Sequence, residues 1–128
     1  MKLIKKLEKS YTSEVYLVEI DGKDFVLKTT TPQGAASEKF FYDTLAARNV
    51  PTLRVFSHAE LKNNQLLLEY IENSPALMDA QTEENFRNWG KAVKSIHAIT
   101  FPESFVITEE GEKKQIAWQA YLENSLAY

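Results

Sequence analysis

A chain of 128 residues that is 44% hydrophobic and 12% aromatic can build one core but hardly two. Its net charge of −3 and scattered basic residues argue against nucleic acid or an anionic membrane as the main partner, and the lack of cysteine excludes disulfides and thiolate metal sites. The apolar runs are far too short to cross a bilayer, and the N-terminus has neither an apolar stretch nor a small-residue cleavage site, so a cytoplasmic soluble protein is expected.

Up to Ile71 the sequence reads as strands interrupted by one helix. Lys2 to Lys9 alternates imperfectly, with Leu3, Lys5 and Leu7 on one face. Glu14 to Ile20 is β-branched and aromatic, Asp21-Gly22 follows, and Lys23 to Thr30 continues with Phe25, Val26 and Leu27. Two such runs around Asp-Gly signal a hairpin. Thr31-Pro32-Gln33-Gly34 breaks the strand. Ala35 to Arg48 is expected to be helical, with Glu38, Phe41, Tyr42 and Leu45 on one face, ended by Asn49 and Pro51. Thr52 to His58 and Gln65 to Ile71 are two further strands, joined by a Lys62-Asn63-Asn64 turn. The order is three strands, one helix, two strands.

Glu72-Asn73-Ser74-Pro75 reads as a linker, and beyond it the pattern changes. Thr82 is a good N-cap, and Glu83 and Glu84 suit the first turn of a helix. Phe86, Trp89, Gly90, Val93, Ile96 and His97 mark one face of that helix. Phe101 to Gly111 reads as loop, with Glu109-Glu110-Gly111-Glu112 solvated. Lys114 to Leu126 reads as a last helix, its Trp118, Tyr121 and Leu122 a packing surface.

Chemistry concentrates at Lys28. Alternation puts Val26 and Lys28 on one strand face and Phe25 and Leu27 on the other. A lysine ending an apolar strand can simply snorkel to water. Glu38, however, lies on the helix face expected to meet the sheet, where a carboxylate is expensive without a cation. Paired with Glu38, Lys28 would be held ready for phosphate oxygens; a Glu38 in the frayed first turn would leave both in water. His97 is expected to be a core histidine, and His58 has no second ligand nearby in sequence, so no metal site is expected.

The segments Ser10-Tyr11-Thr12-Ser13-Glu14-Val15-Tyr16, Phe25-Val26-Leu27-Lys28, Glu38 to Leu45, Val50-Pro51, Leu66-Leu67-Leu68-Glu69-Tyr70-Ile71 and Trp89-Gly90-Lys91-Ala92-Val93-Lys94-Ser95-Ile96-His97 resemble, in that order, the aminoglycoside phosphotransferase and choline-kinase-like family. The resemblance implies an α+β kinase-like N-lobe: a five-stranded antiparallel sheet with one packed helix, followed by a helical arm. It divides the chain at residue 74, with a nucleotide-binding lobe and hinge over 1–74 and the start of a second lobe over 75–128. It also implies transfer of the ATP γ-phosphate to a hydroxyl of a small molecule.

Carried over, Lys28 would hold the α- and β-phosphates and Glu38 would orient it. Val15 and Val26 would roof the adenine, and Leu68, Glu69 and Ile71 would form the hinge. The loop Ser10 to Ser13 would cover the phosphates, Ser13 among its donors, although it lacks the glycines common in relatives. The family's His-Gly-Asp segment, downstream asparagine and metal-binding aspartate have no counterpart here. The aspartates are Asp21, Asp24, Asp43 and Asp79, so no catalytic or metal-binding residue is assigned and magnesium is expected only with the missing lobe. On this view the sequence stops, at Tyr128, before the catalytic segment and is inactive alone. Its exposed helical arm would drive homodimerisation or other association. Two alternatives stay open: a free-standing regulatory module or half of a split kinase, and an unrelated α+β ligand-binding domain in which Lys28 and Glu38 lie far apart.

Overall fold

The computed structural model describes residues 1–9 and 11–126. Strands β1 (Lys2–Lys9), β2 (Glu14–Ile20) and β3 (Lys23–Thr29) form an antiparallel meander. Helix α1 (Pro32–Ala47) follows, then β4 (Val55–Phe56) and β5 (Gln65–Glu69). Strand β5 inserts between β3 and β4, giving the antiparallel order β1-β2-β3-β5-β4. The five-stranded antiparallel sheet with one packed helix is present as expected.

Local chemistry sets most boundaries. Asp21 and Gly22 both take positive φ, 51° and 74°, as a two-residue turn between right-twisted strands requires. Helix α1 begins earlier than the expected Ala35, because the apparent breaker is its cap. The Thr31 side chain accepts from the Gly34 amide at 3.0 Å, and Pro32 occupies the first turn, where its missing N–H costs nothing. The helix ends at Ala47, with Asn49 in the left-handed region at φ 56°.

Several expectations are corrected. Leu3 and Lys5 do not share a face: Leu3 pairs with Val18 and Lys5 with Leu17, across a register shift that places an extra residue in β1. Strand β4 is only two residues long, because the chain turns away at His58, whose carbonyl and Nδ1 accept from the Leu61 and Glu60 amides. Strand β5 ends at Glu69, so Ile71 lies beyond it. On α1, Phe41 is 56% exposed and touches only the neighbouring Phe40 ring among the aromatic contacts of the described residues, whereas Phe40 also packs on Phe101 and Phe105.

The second half differs more. Helix α2 (Glu83–His97) has the expected cap, with Thr82 accepting from the Asn85 amide at 3.1 Å. Its apolar face is nevertheless open: Phe86, Trp89 and Ile96 are exposed, and so is His97, which is not a core histidine. The segment Phe101 to Gly111 is not a loop. Strands β6 (Phe105–Ile107) and β7 (Lys113–Gln115) pair as an antiparallel hairpin. The acidic run is its turn, closed by Thr108 N–H on the Glu112 carbonyl at 2.9 Å with Gly111 at φ 81°. The final helix α3 (Trp118–Leu126) therefore starts later than Lys114.

Candidate functional site

The register of the sheet decides which side chains meet. Lys28 lies opposite Val15 on β2 and Leu66 on β5, while Val26 lies opposite Leu17 and Leu68. Paired residues project to the same side of a sheet, so Val15, Val26, Lys28, Leu66 and Leu68 share one face. Helix α1 covers part of that face: Ala35 packs with Leu66 and Leu68, and Val26, Tyr42, Leu53 and Val55 pack around them.

Glu38 is one turn along α1 from Ala35, and its side chain points to the same face. Its Oε1 accepts from Lys28 Nζ at 2.7 Å. The two side chains keep 24% and 32% of their exposure, so the pair is half-buried, dry enough to have real strength yet open on one side. An ammonium carries three donors, of which Glu38 takes one. Tyr42, one turn further along, is raised above its ordinary value, first by burial and then by the Glu38 carboxylate.

The β1–β2 loop is tied down near the same lysine. Thr30 Oγ1, two residues past Lys28, donates to the Thr12 carbonyl at 3.2 Å. At the other end, Glu14 accepts from Lys6 Nζ at 2.8 Å and from the Tyr16 hydroxyl at 2.7 Å. Ser13 is half-buried between these anchors; Ser10, the first residue of the loop, lies outside the described residues. Neither tie is legible in sequence, since a threonine hydroxyl gives no periodic signal.

At the far end of β5 the backbone groups are partly used. The Glu69 amide donates to the Arg54 carbonyl at 2.9 Å, and the Arg54 amide donates to Glu69 Oε2 at 3.3 Å. Ser74 Oγ donates to the Ile71 carbonyl at 3.1 Å, curling the chain just past the strand. A shallow cleft lined by Tyr70, Ile71, Asn73, Ser74 and Pro75 opens there. Leu68 itself is 4% exposed and belongs to the core beneath α1.

Thus Lys28, Glu38, Val15, Val26 and Leu68 come together on one sheet face, with Ser13 at one edge and Glu69 and Ile71 at another. A fixed cation beside an apolar face is suited to an anion joined to a flat apolar group. Among the described residues, no helix is long and apolar enough to cross a membrane. No curated protein matches the sequence. A family model described as the phosphotransferase enzyme family matches residues 3–127.

Proposed function

The chain belongs to the phosphotransferase enzyme family, and from that premise we propose that it is the ATP-binding lobe of a small-molecule phosphotransferase. The observation that carries this reading is the Lys28–Glu38 pair, 2.7 Å apart, on the face that also presents Val15 and Val26. It removes the ground for the unrelated ligand-binding domain, in which the two residues would lie apart. Lys28 binds the α- and β-phosphates, Glu38 orients it, and Val15 and Val26 cover the adenine. The end of the β1–β2 loop, Tyr11 to Ser13, closes over the phosphates. The Glu69 carbonyl and the Ile71 amide read the purine edge, Leu68 lying just behind them.

The residues for the chemical step are not in this sequence. Asp43 is paired with Lys39 at 2.6 Å on the solvent side of α1, Asp21 sits in the hairpin turn, Asp24 is exposed near the start of β3, and Asp79 is exposed in a single helical turn before α2. The catalytic base and the magnesium ligands therefore come from residues outside the chain, and magnesium joins ATP only there. Residues 1–74 bind the nucleotide, and residues 75–128 begin the part that would carry the acceptor. A cytoplasmic setting, where ATP is available, fits this role. Titration of the chain with ATP is expected to show weak saturable binding for which adenosine competes, with no turnover. Failure of ATP to saturate would overturn the reading.

Helices α2 and α3 present Phe86, Trp89, Trp118, Tyr121 and Leu122, all more than 40% exposed. Apolar area of this extent is covered by association, and two copies of the chain meeting through these helices would cover it. Sedimentation at rising concentration is expected to show a dimer or larger species. A chain that stays monomeric throughout would remove this part of the reading.

A further inference from the structure

Helix α1 is held from two sides. Ala35, Glu38 and Tyr42 face the sheet, whereas Phe40, two positions after Glu38, projects from the opposite side of the helix. There Phe40 packs on Phe105 of β6, with centroids 5.6 Å apart and planes at 83°, and on Phe101 at 6.2 Å. Phe101 and Phe105 meet edge to face at 5.1 Å. Into this three-ring cluster β7 sends Lys113, whose Nζ lies 5.4 Å from the Phe40 centroid, 5.4 Å from Phe101 and 4.8 Å from Phe105.

Lys113 is exposed to water, yet its ammonium lies over ring faces whose quadrupoles attract it. Two of the rings belong to the segment after the hinge and one to α1, so the cation joins the two. The helix needs that second contact. Ala35, a small side chain, is the buried residue of this sixteen-residue helix, and Tyr42 and the Glu38 carboxylate add the helix's further contacts with the sheet side. Ile107, 4% exposed on the strand facing Lys113, anchors the hairpin itself.

The geometry points to the β6–β7 hairpin as a brace that presses α1 onto the sheet, with Lys113 as a positioning residue for the Lys28–Glu38 pair. The helix carrying Glu38 is the middle layer of three: sheet, helix, hairpin. Loosening the outer layer frees the helix to tilt away from Lys28, which loses its orienting carboxylate. The phosphate-binding end of the site, which depends on Glu38, is affected more than the purine-reading end, which lies past the part of β5 that α1 covers.

The binding readout rests on the ATP-lobe reading above, so the test carries a second readout that does not. ATP and adenosine affinities are measured on the full chain for wild type, Lys113→Gln and Lys113→Arg, with hydrogen exchange of the α1 amides followed in the same samples. Lys113→Gln is expected to weaken ATP about fivefold and adenosine less than about twofold, while arginine, which also stacks on rings, restores ATP binding. The α1 amides exchange faster in the glutamine variant while those of β2 and β3 do not change. Unaltered ATP affinity in Lys113→Gln, equal losses for ATP and adenosine, or a failure of arginine to rescue would each overturn the brace. If wild type binds neither ligand, the ATP-lobe reading fails on its own. Exchange then decides the brace: faster α1 amides support it, and unchanged ones sink it.

Discussion

Replacing Lys28 by methionine is expected to weaken ATP binding by about tenfold to a hundredfold, the worth of a charge-assisted hydrogen bond to phosphate. Adenosine affinity should hardly change, because Val15, Val26 and the end of β5 are untouched. The same substitution leaves Glu38 without its 2.7 Å partner. Exposed pairs contribute about 0–1 kcal/mol, and breaking fully buried ones costs about 3–5 kcal/mol. With side chains 24% and 32% exposed, this one lies between, at about 1–2 kcal/mol of unfolding free energy.

Glu38→Gln separates orientation from charge. Lys28 keeps its ammonium but loses the carboxylate that fixes it, so ATP weakens by only about threefold to tenfold. The double variant Lys28→Met with Glu38→Gln should recover most of the stability lost in Lys28→Met alone, since no unpaired charge remains. Arginine at 28 should not replace lysine fully, because a planar fork meets Glu38 and phosphate in a different geometry. Calorimetric titration with urea unfolding measures both quantities. A Lys28→Met chain that binds ATP as wild type does would end the assignment of Lys28 to phosphate.

Much of the first half was legible because its signals are local. Asp21-Gly22 fixes a turn by backbone conformation alone, and alternation along Lys23 to Thr29 tells which residues flank Lys28. Glu38 was legible as a misfit, a carboxylate on a face that should be apolar, which chemistry resolves by bringing a cation. The hairpin at Phe105 to Gln115 was illegible for the opposite reason. Lys113-Lys114-Gln115 is polar, its strand three residues long, and the partner that orders it is Phe40, more than sixty positions earlier. Phe40 and Phe41 are adjacent, and helical period alone favoured Phe41. Tertiary contact with Phe101 and Phe105 chose Phe40. The open face of α2 has a related origin: a pattern shows that a face is apolar but not what covers it.

Adjacent residues on β5 should separate stability from binding. Leu67 is 2% exposed and Leu68 4%, but alternation sends them to opposite faces. Leu67 pairs with Leu27 and Phe56, away from α1, whereas Leu68 pairs with Val26 and packs on Ala35. Either leucine cut to alanine loses about 2–4 kcal/mol, a large part of the ~5–15 kcal/mol that holds a domain of this size. Their effects on the folded molecule differ. Leu67→Ala should leave ATP affinity unchanged once the folded fraction is allowed for. Leu68→Ala opens a cavity under α1 and behind the purine-reading strand. The helix settles toward it, Glu38 shifts, and ATP weakens by about threefold or more, while ATP carrying a bulky N6 substituent gains in relative affinity by filling the space. Urea midpoints together with ATP and N6-benzyl-ATP titrations distinguish the two variants. Equal binding losses in both would mean that the Lys28 face of the sheet is not where the nucleotide lies.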